Sequence, residues 1–173
     1  RISSVESLVD NPSNLRLTDT GIDGCYIIDF PTIKDLRGHF FRKYCSSSFR
    51  SKGLNDSWLQ TNISTNILKG TLRGFHYQIE PHQEIKLVTC VSGSIFDAIF
   101  DLRPDSSTYL KSYSVNLKAD QNTSLYIAAG VAHAYLSLED NSSIMYQVSA
   151  EYSKEATRGL FYKDPRLKIN WPI

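Results

Sequence analysis

The sequence predicts an all-β fold, a double-sheet antiparallel barrel or sandwich. Three observations lead there. From Trp58 onward, short runs rich in β-branched and aromatic residues recur with turn residues between them. Residues 144–152 alternate cleanly, with Ile144, Tyr146, Val148, Ala150 and Tyr152 on one face and Met145, Gln147, Ser149 and Glu151 on the other. Only residues 46–54 read as a good helix candidate, a short one closed by Gly53.

Residues 1–22 are polar, carry Asn11-Pro12, and read as an N-terminal arm ahead of one domain spanning 23–173. Cys25 to Ile28 is a strand-like run, followed by Pro31 and a turn at 34–38. Trp58, Gln60 and Asn62 share a parity on one extended segment. Residues 85–91 and 94–102 are strands joined through Ser92-Gly93, which predicts a hairpin. Both are apolar on both faces in places, so they belong in a covered layer. Further strands are expected at 111–117, 124–128, 133–138 and 143–152.

Composition narrows the function. A chain of 173 residues, 41% hydrophobic and 21% charged, is long enough for one domain with a substantial core. A net charge of +1 offers no bulk attraction to nucleic acid or to a membrane. No basic stripe with interleaved aromatics and no apolar run of membrane-spanning length is present in the sequence. Cys25, Cys45 and Cys90 are odd in number and widely spaced, which reads as reduced thiols in a cytoplasmic protein.

The stretch most loaded with chemistry is 71–78, Thr-Leu-Arg-Gly-Phe-His-Tyr-Gln. Arg73 and His76 are three apart, so a regular strand would send them to opposite faces. Gly74 lies between them, and a glycine inside a strand often marks a bulge that resets the alternation. The expectation is a cation beside a base on one side; the other reading is an edge strand with a solvated arginine and a core histidine. Lys86 lies within an apolar strand, His133 follows a glycine turn, and Tyr146 and Tyr152 share the inner face of theirs. Together these residues would line one polar cavity at the mouth of a β-barrel. A metal would need more ligands than His76 and His133, since the first segment reads His76-Tyr77-Gln78 rather than His-x-His. Neither a Ser-His-Asp arrangement nor a glycine-rich phosphate loop is visible.

Several motifs now stand in one order: Asp35-Leu36-Arg37-Gly38, Gln60-Thr61-Asn62, Leu72-Arg73-Gly74-Phe75-His76-Tyr77-Gln78, Lys86-Leu87-Val88, Ala129-Gly130-Val131-Ala132-His133, Met145-Tyr146, Glu151-Tyr152, and Asp164-Pro165 through Asn170-Trp171-Pro172. Over residues 25 to 172 the chain resembles the dTDP-4-dehydrorhamnose 3,5-epimerase family of nucleotide-sugar epimerases. The resemblance implies a metal-free cupin jelly roll, a cofactor-independent isomerase, and a homodimer that exchanges a strand or arm. It implies a nucleotide-linked 4-keto-6-deoxy sugar as substrate, inverted at carbons next to the ketone. By the same resemblance His76 is the base, Lys86 stabilises the enolate oxygen, and Tyr146 is the acid. Tyr152 packs on nucleotide or sugar, Arg73 and Arg37 lie near the diphosphate, and Gln60, Asn62 and His133 contact sugar or pocket.

The chain departs from the family pattern at three places. Arg42 stands where the family commonly has Glu, and Thr157-Arg158-Gly159 follows Tyr152 where a Glu before Gly is frequent. The family's aspartate partner of the histidine falls in a segment after Trp-Pro. The expectation is therefore that an aspartate beyond Ile173, or a substitute such as Asp97 or Asp101, reaches His76. Two other readings stand beside the epimerase: a non-catalytic nucleotide-sugar-binding homologue on the same fold, and a metal-dependent oxygenase. Within the epimerase reading itself, inversion at C3 alone and a GDP-linked 4-keto sugar or heptose as substrate are variants.

Overall fold

The computed structural model describes residues 15–172. Two antiparallel sheets lie face to face. One has six strands in the order β1-β2-β10-β7-β12-β5, and the other five in the order β13-β6-β11-β8-β9. The first sheet comprises β1 (Arg16–Asp19), β2 (Tyr26–Asp29), β5 (Gln60–Asn66), β7 (Lys86–Ser92), β10 (Thr123–Ile127) and β12 (Ser142–Val148). The second comprises β6 (Leu72–Gln78), β8 (Ser94–Asp101), β9 (Ser112–Lys118), β11 (Val131–Ser137) and β13 (Thr157–Gly159). A separate hairpin joins β3 (Thr32–Asp35) to β4 (Gly38–Phe41).

Period-two alternation sends each strand's residues to two different cores. In β7, Val88 and Cys90 face the inter-sheet core with Ile95, Ile99, Leu125 and Ile144. Leu87 points the other way, into an outer cluster with Phe30, Phe49 and Tyr126. In β8 the same split sends Phe100 and Ala98 outward, against Phe75, Leu167 and Trp171. Both outer faces are thus covered, which explains the continuous apolar runs.

The cover over the six-stranded sheet is α1 (Ser46–Ser51), with Phe49 fully buried. Its end is a Schellman motif: Gly53, at φ +70°, donates to the Arg50 carbonyl, and Leu54 donates to that of Phe49. Leu54 then packs in the same cluster as Phe49. Trp58 lies ahead of β5 and stacks edge-on against Phe49 and Tyr126, so its side chain belongs to this outer cluster and not to the cavity wall that Gln60 and Asn62 join.

The hairpin expected at Ser92-Gly93 is not one. β7 and β8 belong to different sheets, and the chain crosses between them at Gly93. Each strand is buried on both faces and occupies the interior of its own sheet, which a paired hairpin would not require. Gly93 has φ +66°, and a Cβ there would lie 2.5 Å from Ser142 Oγ, so the corner admits only glycine. Residues 1–14 of the expected arm lie outside the described residues. Of the remainder, Arg16–Asp19 pairs with β2 and extends the six-stranded sheet, while Leu15 and Ile22 are buried.

Candidate active site

A cavity of about 370 Å³ opens between the sheets. One wall is built by β6 and β11, the other by β5, β12 and the start of β7. The first wall depends on a bulge. Across the β6–β11 ladder His76 pairs with His133 and Arg73 with Tyr135, so β6 uses three residues where β11 uses two. Gly74 absorbs the extra step at φ +104°. A Cβ on it would sit 2.5 Å from the His133 carbonyl oxygen and 2.7 Å from Ala134 Cα, both backbone atoms. The result is that Arg73, His76 and His133 all line the cavity, while Phe75 between them is buried in the outer core.

The opposite wall follows simple alternation. Gln60, Asn62 and Ser64 point in from β5, and Ile144, Tyr146 and Val148 from β12. Asn62 pairs with Tyr146, and Val148 with both Gln60 and Lys86, so these groups form adjacent rows. Tyr152 lies past the end of β12, two-thirds exposed, yet still on the lining. Arg37 is elsewhere: it sits at the tip of the β3–β4 hairpin, 91% exposed and paired with Asp35 at 2.5 Å. Eight of the nine candidate residues meet at the cavity, and Arg37 does not.

The electrostatics divide the groups by task. The His76 imidazole is held below its ordinary 6.5, first by burial and then by the charges of Lys86, His133 and Arg73, which keeps it neutral and able to accept a proton. Burial raises the Tyr146 phenol, helped by Tyr135 and Glu84 and opposed by Arg73, which keeps it a donor. Lys86 is buried but ion-paired to Glu84 at 2.8 Å. Arg73 Nε donates to Asn66 Oδ1 at 2.7 Å, and Asn66 in turn bonds the Tyr135 hydroxyl.

Neither proposed carboxylate is the partner of His76. Asp97 is fully buried and takes the Nε2 of His133 at 2.7 Å, and its Oδ2 has no hydrogen-bond partner among the described residues. Asp101 is committed to Arg103, Ser106 and Thr108. The physical reason is register: β8 lies beside β11, not beside β6, so Asp97 meets His133, while Asp101, at the far end of β8, turns to its own loop. Glu84, Asn66 and Tyr135 are site residues that motif reading passed over. Glu84 and Lys86 share a parity, as do Asn66 and Gln60, and that spacing was the available signal. Among the described residues no group of three or more His, Cys, Asp and Glu side chains is arranged to hold a metal ion. The same residues include no helix long and apolar enough to cross a membrane. The three cysteines are free thiols.

Chemically, the cavity offers a neutral imidazole on one wall, a phenol on the other, and an ammonium on the same lining. That set suits moving a proton off one face of a carbon acid and onto another. Residues 19–173 match the family model described as dTDP-4-dehydrorhamnose 3,5-epimerase. A Sinorhizobium fredii dTDP-4-dehydrorhamnose 3,5-epimerase is 39% identical over 138 residues, covering 80% of this chain and 71% of that one. The crystal structure of the Bacillus anthracis enzyme of that name, with TDP and PPi bound, superposes with a TM-score of 0.89 at 31% identity, covering 92% of this chain and 91% of that one. The Legionella pneumophila dTDP-6-deoxy-D-glucose-3,5-epimerase, in complex with dTDP-4-keto-L-rhamnose, gives 0.86 at 31% identity, covering 92% and 84%.

Proposed function

The chain belongs to the dTDP-4-dehydrorhamnose 3,5-epimerase family, and we propose that it epimerises a dTDP-linked 4-keto-6-deoxy sugar through His76, Lys86 and Tyr146. The C4 ketone acidifies the protons on C3 and C5. His76 takes one, the C–H electron pair moves into the C4 oxygen as an enolate, and the Lys86 ammonium stabilises that oxygen. The Tyr146 hydroxyl then gives its proton to the same carbon from the opposite face, the ketone re-forms, and solvent restores both side chains. Repetition at the second carbon would yield the dTDP-4-keto-L-rhamnose type of product. The chemistry asks for a base, an oxyanion donor and an acid, and for no cofactor.

The observation that carries this reading is the placement of His76 and Tyr146 on different sheets, facing one cavity. Inversion needs a base and an acid on opposite faces of the ring, and two strands of one sheet could not supply them. Arg73, held by Asn66, suits the diphosphate, where a guanidinium fork matches phosphate oxygens. Gln60, Asn62, His133 and Tyr152 are left to hold sugar and nucleotide.

The test is solvent deuterium incorporation into dTDP-4-keto-6-deoxyglucose, followed by NMR. Exchange at C3 and C5 is expected; a protein that exchanges neither position is a binding homologue and not an epimerase.

We also propose a homodimer. Arg37 can serve a diphosphate only if the hairpin of one copy reaches the cavity of another. In support, Leu36 on that hairpin is fully exposed and Phe40 is 55% exposed. Leu59, Ile63, Ile67 and Leu68, along the edge strand β5, are likewise exposed, more apolar surface than a lone copy needs. Sedimentation showing only monomer at micromolar concentration would refute the assembly.

A further inference from the structure

Glu84 is a carboxylate on the cavity wall to which the steps above give no task, and it is the one acidic residue among the described lining residues. It lies just ahead of β7, two residues before Lys86, so the two side chains leave an extended segment on the same side. Both are largely sequestered, at 12% and 9% exposure. Glu84 Oε1 meets Lys86 Nζ at 2.8 Å, and Oε2 accepts from Gln78 Nε2 at 3.3 Å. Gln78 is itself buried, donates to the carbonyls of His82 and Glu151, and accepts from the Ser153 backbone N–H at 2.7 Å. A continuous chain of contacts therefore runs from the ammonium, through Glu84 and Gln78, to the segment that carries Tyr152.

We propose that Glu84 is the positioning residue for Lys86, fixing the ammonium so that its remaining protons face the enolate oxygen, and tying that placement through Gln78 to the Tyr152 segment. The proposal rests on the epimerase reading. A lysine head on a four-carbon stem has many rotamers and three equivalent donors, so by itself it is a poorly aimed oxyanion donor. A donor helps most when it already stands where charge will develop. One proton given to Glu84 fixes the head, and two remain for the cavity. The ion pair also acts on the two proton-transfer groups in opposite senses. Its cation helps keep His76 neutral and its anion helps keep Tyr146 protonated.

The experiment is a double-mutant cycle read by deuterium wash-in at C3 of dTDP-4-keto-6-deoxyglucose. Glu84→Ala should lower kcat by about 10–100-fold, the scale of a misplacement of about 1 Å, with KM within about threefold. Glu84→Gln keeps an oxygen acceptor on the same stem and should lose markedly less. In a Lys86→Ala background, adding Glu84→Ala should change kcat by less than about twofold, because Glu84 acts through a group already removed. A structural role would lower both backgrounds by the same factor, and that result overturns the proposal. So do wild-type turnover in Glu84→Ala and equal losses in the Ala and Gln variants. Wild-type protein that shows no exchange removes the epimerase reading itself, a different outcome from any of these.

Discussion

The two walls of the cavity differ in what they do to a titrating group. The β6–β11 wall is rich in positive charge, and its histidine is pushed down, toward the neutral base. The β5–β12 wall presents amides, hydroxyls and aliphatic groups, and its tyrosine is pushed up, toward the protonated acid. Two groups with well-separated ordinary pKa values are driven further apart by their surroundings. Such a pair has its proton direction set before substrate arrives. The Lys86–Glu84 pair belongs to the second wall, at the start of β7, and its cation helps lower His76 while its anion helps raise Tyr146. Residue type thus makes one group the base and the other the acid, and the surroundings of each push in the same direction.

If that contrast is correct, removing the base should have the largest effect. His76→Asn should cut deuterium exchange at both carbons by about 10³–10⁴-fold, because the other imidazole, His133, is tied to Asp97 and the Glu84 carboxylate to Lys86. Retained exchange would move the base elsewhere and dissolve the contrast. Lys86→Ala should follow, slowing exchange and product formation together by about 10²–10³-fold, since every proton transfer shares the enolate. Tyr146→Phe should separate the walls: wash-in at the first carbon continues while inverted product falls about 10²-fold. Equal loss of both would show that the phenol is not confined to proton return. The smallest effect is on pH dependence. The base form is required, and its pKa is held below 6.5, so the midpoint of the acid limb of kcat/KM should lie below pH 6.5. Arg73→Ala removes one cation that depresses His76, so the acid limb should move upward, toward 6.5. An unmoved limb would mean that burial alone sets the value.

Much of this arrangement was legible in the residues because alternation is a strong signal. The run from Ile144 to Val148 identified one wall outright, and Gly74 between Arg73 and His76 announced the bulge that builds the other. Two apolar strands around a glycine turn look the same whether they pair or cross between sheets, so the Ser92-Gly93 connection could not be read locally. The strands β1, β3, β4 and β13 are only three or four residues long and lie at sheet edges or outside the two main sheets, and they leave too short a pattern to register. The Asp97–His133 contact joins residues 36 apart and exists only because β8 and β11 are neighbours in a particular register. The motif order reached Arg37 as a site residue, but no intrachain geometry brings it to the cavity.

The Gly74 bulge also has a genetic reading. It holds one residue more than the partner strand needs, and everything after it on β6 is counted from that extra position. A substitution and a deletion at this codon therefore differ in kind. Any Cβ added at Gly74 meets the backbone of His133 and Ala134, so a point change strains the wall. Loss of the codon leaves two residues against two, and plain alternation still puts Arg73 and His76 on one side and Phe75 on the other. What the deletion removes is the bulge itself, and with it the local bend that aims the imidazole.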